Sequence, residues 1–306
     1  MTLRFAAAFW VDETTTEADI ESYTRLKDSI GLSNQMFRAD AIKFMIDGVI
    51  ESHTGYMLQP YTDIPATPAT DPLSLGQLAL PIEKYHNLVT TFDKRGFRIF
   101  THAIGDKGVR ESLNAYEEAA NTNGKRDSRH RIEHIETISP DDIPRFASLG
   151  VMASMEPIHA DPATMGVWIN AIGKEREPYS FNWASMLKNN VKLVYSSDWP
   201  ACIDINLIRG IHVAVNRRTP EGFPENGWIP GQKIPITEAM KAYTYMGAYS
   251  SFEENLKGQI KTGQLADMII FSQDLFTINP MKTFETKIVL TVFDGKIIYD
   301  NLHQEN

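Results

Sequence analysis

The chain has 306 residues, an apolar fraction of 42% and a formal charge of −9, with a sequence pI of about 5.4. These values suit one large domain, or a domain with an appendage, and argue against nucleic acid or an anionic membrane as partner. A single cysteine, Cys202, excludes an intramolecular disulfide and a thiolate zinc cluster, and no apolar run reaches the roughly 18 residues of a membrane helix. The opening "MTLRFAAAFWVDE" is too short and poorly flanked for a signal peptide, so the cytoplasm is the expected compartment.

Strand-like and helix-like segments alternate along most of the chain, which predicts a parallel α/β architecture. "LRFAAAF" (3–9) reads as a strand, and the helical spacing of "EADIESYTRLKDSIG" ends at Gly31. A strand at 41–46 leads into a long Gly-, Pro- and Thr-containing excursion over 47–78, read as a functional loop with His53 and Glu51 in a lid. A helix around 79–94 precedes the strand 97–101, and "KGVRESLNAYEEAANTNG" is a patterned helix ending at Gly124. The strand 130–134 is followed by a helix with Ser139 as N-cap and Pro140 at its first position. Strands at 150–155 and 192–197 follow, then a continuous helix in "TEAMKAYTYMGAYSS". From about residue 255 the texture becomes β, with an Asp294-Gly295 hairpin signal. The expected division is therefore 1–254 for the main domain and 255–306 for a β appendage. Six strands of a barrel can be counted, two short of the eight that close one.

Four apolar runs end on a ligand-type residue: "AIKFMIDG", "FRIFTHAIGD", "RHRIEHIE" and "KLVYSSDWP" supply Lys43, His102, His134 and Asp198. Ligands repeated at strand ends are how a (β/α) barrel builds a site on its C-terminal face. A neutral imidazole there can bind a divalent ion, and Asp198 can bind metal and accept a proton from bound water. A single strand-end histidine is more often packing, and an aspartate before Trp199-Pro200 is also an ordinary turn. Alternation puts His130, Ile132 and His134 on one face of their strand; His134 is preferred because it lies nearer the strand end, and His130 reads as structural. Lys43, inside a buried run, needs its charge removed by carboxylation or paired with an acid such as Asp47. Asp106 reads as capping or outer-sphere support, and His159, His53 and Trp199 as substrate contacts. Cys202 reads as packed.

Together "IKFMIDGVIESHTGYMLQPY", "THAIGDKGV", "RHRIEHIETISPDDIPRFASLGVMASMEPIHA", "SSDWP" and "GQIKTGQLADMIIF" resemble the amidohydrolase superfamily, specifically the amidohydrolase family 3 or YtcJ-like branch. The resemblance implies a (β/α)8 TIM-type barrel with a small β-sandwich, and hydrolysis of a C–N bond by metal-activated water. It makes His102 and His134 metal ligands, Asp198 a ligand and general base, and Lys43 the lysine that is carboxylated where two ions are bridged. The cofactor is one or two divalent ions, zinc first, and the substrate a small amide, urea-like or cyclic amide.

The chain departs from the family pattern in one respect: the His-X-His pair that ends the first barrel strand is absent, and the first histidine is His53. The expectation is an incomplete barrel, strands 3 to 8, with part of the sandwich at the C-terminus and a missing N-terminal segment. Such a chain would self-associate or be completed by another segment, and would hold its ion weakly. The competing readings are a catalytically impaired remnant with a binding or regulatory role, and a lactonase or phosphoesterase on the same barrel.

Overall fold

The computed structural model describes residues 3–32, 34–64, 72–202 and 204–302. The chain divides into two compact units, a larger one of Arg4–Met155 with Gly166–Lys192, and a smaller one of Met1–Leu3, Glu156–Met165 and Leu193–Asn306.

The larger unit carries a parallel sheet whose strands run in chain order: β1 (Phe5–Trp10), β2 (Phe37–Met45), β3 (Arg98–Ala103), β4 (Arg131–His134) and β5 (Met152–Met155). Its helices are α1 (Glu17–Ile30), α2 (Ile82–Lys94), α3 (Asp106–Asn123), α4 (Ile143–Leu149), α5 (Met165–Ile172, all but its first residue) and α6 (Trp183–Lys188). α1 opens with a capping box, Thr16 and Asp19 exchanging side-chain and backbone bonds, and closes at Gly31 as its spacing predicts. Ser139 makes no side-chain cap; a short 3-10 turn at Pro140–Asp142 intervenes before α4.

One face of the sheet is buried under aromatic rings. Phe44 packs edge-on against Tyr85 and Phe92 of α2 at centroid distances of 5.2 and 6.4 Å. Burial of each such ring stabilises the fold by about 1.5–3 kcal/mol. Behind them a hydroxyl chain joins Tyr85, Thr101 and Tyr116, each contact 2.8 Å. At the other end of β2, Asp40 binds the guanidiniums of Arg38 and Arg98 at 2.7 Å, all three residues buried. This pairing explains why β2 begins at Phe37, earlier than its apolar run suggests: its two charges neutralise within the strand layer.

The smaller unit contains β6 (Leu193–Tyr195), α7 (Leu207–Asn216), α8 (Ile236–Tyr243), α9 (Tyr245–Ser250) and an antiparallel sheet of β7 (Met268–Phe271), β8 (Ile288–Phe293) and β9 (Lys296–Asp300). α8 and α9 divide the predicted single helix at Thr244, whose backbone (φ −115°, ψ −85°) leaves the helical region. The β8–β9 hairpin turns at Asp294 and Gly295, both with positive φ (51° and 75°), as the Asp-Gly signal requires. Among the described residues no helix is long and apolar enough to cross a membrane.

Candidate active site

In the larger unit the candidate residues lie where β2, β3 and β4 end. Thr101 reaches the helix layer, so alternation turns His102 to the opposite face of β3. Phe44 also faces the helices, which leaves Lys43 on the face of His102, beside Phe100 in the register and half-buried.

His134 breaks the predicted alternation. His130 points to the helix layer, donating from Nε2 to Asp93 Oδ1 at 3.0 Å and accepting the Ile99 amide at Nδ1 at 3.1 Å. Its ring lies 5.0 Å from Tyr116, so its role is structural. Strict alternation would send His134 the same way. Instead the backbone turns left-handed at His134 (φ 75°) and Ile135 (φ 49°), and the His134 ring meets His102 at 4.5 Å between centroids. Left-handed non-glycine residues cost about 1–3 kcal/mol each and concentrate at functional sites. The Ile135 amide holds the turn by donating to Ala103 O and Glu133 O at 3.1 Å each.

His102 Nε2 donates to the Gly48 carbonyl at 3.0 Å, which makes Nδ1 its lone-pair nitrogen. Asp47 does not serve as the counter-charge of Lys43. Its carboxylate is fully buried and accepts the amides of Tyr56 (2.8 Å), Ile104 (3.0 Å) and Gly105 (2.8 Å), with Oδ1 3.5 Å from His102 Nε2. Burial pushes this carboxyl up to about 7, against the pull of the three amides. Asp106 accepts the Leu58 amide at 2.8 Å, and burial raises it too.

The described part of the 47–78 excursion is braced; residues 65–71 lie outside the described residues. Met57 N donates to Leu75 O at 2.7 Å, Tyr61 Oη to Gly55 O at 2.8 Å, and Arg176 to the carbonyls of Gln59 (2.9 Å) and Pro60 (2.7 Å). His53, with φ 56°, pairs through Nε2 with Asp63 at 2.8 Å and lies edge-on to Tyr61.

In the smaller unit Asp198 follows β6 in a left-handed turn (φ 55°), its carbonyl accepting the amides of Ala201 and Cys202. Its Oδ2 stands 3.7 Å from His159 Nε2. Trp199 is 57% exposed, and Cys202 is buried with Sγ 3.0 Å from Asp204 O. Glu156 was missed in the sequence. It is buried, accepts Ser196 Oγ at 2.7 Å, and offers a ligand atom within 4.8 Å of one on His159. The signal was present: Glu156 directly follows a strand, in the position that singled out the other ligands.

Imidazole nitrogens and carboxylates at strand ends are a donor set that suits zinc, manganese or iron, so the residues present fit a divalent ion. A parallel sheet with such donors at its C-terminal strand ends defines a class, the α/β proteins whose sites are built from the strand-end loops. The chain matches the model of the Amidohydrolase family over residues 1–299 and belongs to that family. It is 33% identical over 261 residues to Protein LONG AFTER FAR-RED 3 of Arabidopsis thaliana, covering 84% of this chain and 42% of that protein. It is 27% identical over 280 residues to the putative amidohydrolase YtcJ of Bacillus subtilis, covering 92% and 51%. Among solved structures it resembles an uncharacterised metal-dependent hydrolase from Pyrococcus horikoshii, with TM-score 0.70, 25% identity, and 85% and 50% of the two chains covered. The chain thus spans about half the length of the curated relatives it matches.

Proposed function

We propose that this chain is a metal-dependent amidohydrolase that hydrolyses a C–N bond, amide or cyclic amide, of a small molecule with metal-activated water. The observation that carries the reading is the His102–His134 pair: two rings 4.5 Å apart, one brought there only by a left-handed strand end. Membership of the Amidohydrolase family supports the same chemistry. In this reading residues 1–254 are strands 3 to 8 of a (β/α)8 barrel, and 255–306 belong to a β-sandwich. An edge strand such as β1, with Phe5 and Trp10 about half exposed, then pairs with a second copy or a further segment of polypeptide.

His102, His134 and Asp198 would hold the ion, zinc first, with Lys43 joining them if carboxylated. Such an ion, when bound, would supply Lewis acidity, making a water acidic enough to lose a proton at neutral pH. The protein's own groups do the rest. Asp198 accepts the water's proton and returns it to the leaving nitrogen, and His159, with Nε2 3.7 Å from Asp198 Oδ2, contacts the substrate beside it. Trp199 and His53 contact the substrate.

Metal analysis and a panel of amide, lactone and phosphoester substrates test this. Stoichiometric zinc with amide turnover is expected; metal lost in His102→Ala and His134→Ala, and turnover reduced about 10²–10⁴-fold in Asp198→Asn, follow from the roles given. A metal-free, inactive protein would instead favour a binding or regulatory remnant. Lactone or phosphoester turnover alone would reassign the bond.

A further inference from the structure

We propose that Asp47 is a positioning residue: with Gly48 it selects the tautomer of His102 and couples that ring to the 48–58 loop. The proposal rests on His102 being a ligand of the ion.

A buried carboxylate needs strong donors to persist, and Asp47 has three amides aligned on it at 2.8–3.0 Å, Oδ1 taking one and Oδ2 two. Two come from the turn that follows His102, Ile104 and Gly105; the third, Tyr56, comes from the loop after β2. One side chain therefore ties the C-terminal end of β3 to the loop that carries His53. The next residue along, Gly48, presents its carbonyl to His102 Nε2 at 3.0 Å.

A carbonyl can only accept, so Nε2 must carry the hydrogen. Asp47 Oδ1, 3.5 Å from the same nitrogen and already an acceptor of the Ile104 amide, acts in the same sense, because its lone pairs favour a hydrogen on the side they face. The opposite tautomer would set the Nε2 lone pair against both a carbonyl and a carboxylate. By anchoring the loop that carries the Gly48 carbonyl, and by facing the ring itself, Asp47 decides that Nδ1 is the nitrogen offered to an ion, an outer-sphere orientation of the kind that metal-binding histidines receive from carboxylates and carbonyls.

A purely structural brace would behave differently, and the same loop is held by one. Asp106, the first residue of α3, braces that loop through the Leu58 amide at 2.8 Å, which makes Asp106→Ala the control. The full 306-residue chain is labelled with ¹⁵N-histidine and stripped with chelator, and its imidazole spectrum is recorded before zinc is titrated in. Asp47→Ala, Asp47→Asn and Asp106→Ala are compared with the parent, each with a thermal melt. Expected are a pure Nε2–H tautomer for His102 in the parent and in Asp106→Ala, and a mixed tautomer in both Asp47 variants. Zinc affinity should fall about 10- to 100-fold in the Asp47 variants and within about twofold in Asp106→Ala. The near-isosteric Asp47→Asn carries the comparison if Asp47→Ala fails to fold. An unchanged tautomer in an Asp47 variant, or equal loss of affinity in Asp106→Ala, overturns the proposal. A parent that binds no zinc overturns the metal reading instead, while the tautomer comparison still decides the role of Asp47.

Discussion

The sheet of the larger unit and the β7–β9 sheet of the smaller one are built from similarly apolar strands, yet they use them in opposite ways. β3 is buried at every position and β2 at most of its length, and even their charges are sealed in, Asp40 of β2 lying between Arg38 of the same strand and Arg98 of β3. β7 and β9 expose almost every residue, including Ile269, Ile270, Ile297, Ile298 and Tyr299. The difference teaches that apolar composition states what a strand could bury, whereas neighbours decide what it does bury. Where burial is complete, each polar group inside must be satisfied and each becomes a point of failure. Where it is not, the same isoleucines contribute little to stability.

The sharpest way to break this comparison is in the buried ionic layer. Asp40→Ala leaves the guanidiniums of Arg38 and Arg98 without their shared carboxylate, and should cost about 3–5 kcal/mol in denaturant unfolding. A loss below 1 kcal/mol would mean that water reaches this layer.

The second effect is a pH dependence at Asp93 and His130. Hydrogen bonds from His130 and Asn123, with the nearby positive charge of Arg126, hold Asp93 at about 2 against the opposing effect of burial. Its folded value lies below its unfolded one, so its contribution is complete above about pH 4 and disappears as pH falls towards 2, on the order of 2 kcal/mol. Burial lowers His130, and its Nδ1 accepts the Ile99 amide, so the folded state keeps the ring neutral. That contribution is complete above pH 6.5 and begins to fall as pH drops below it. Stability measured from pH 8 to 2 should show both losses, and His130→Gln should remove the earlier one. A flat profile between pH 7 and 5 would contradict the neutral, buried ring.

The smallest effect belongs to the exposed sheet. Ile269→Lys and Ile298→Lys, both at sites about 45% exposed, should change unfolding free energy by no more than about 0.5 kcal/mol. A loss of 2 kcal/mol or more would show that another surface covers these strands.

Much of the architecture was legible, because buried parallel strands are short apolar runs and their order survives in the chain. All six appear in the predicted sequence, the last as β6 of the smaller unit, and Gly31, Gly124 and Asp294-Gly295 stop or turn the chain where expected. Short helices such as α6 and α7 were not read, because six and ten residues give a 3.6-residue period too few repeats to stand out. The site was legible in residue type more than in direction. His102 lies on the ligand face as alternation requires, but His134 gets there through a positive φ that no period-two pattern can express. Asp47 looked like a partner for the lysine four residues before it; its real partners are amides contributed by residues 56, 104 and 105.

The cradle around Asp47 also explains part of the signature by which the chain is recognised. A Cβ on Gly105 would lie 2.1 Å from Tyr56 O, and one on Gly108 would lie 2.7 Å from Asp47 Oδ2. Neither glycine performs chemistry; each leaves room for the loop that Asp47 anchors. The stretches "MIDG" and "HAIGDKG" are thus two halves of one steric agreement across more than fifty positions of chain. A substitution in either half is acceptable only with a matching change in the other, so relatives with a different loop path should differ in both places together.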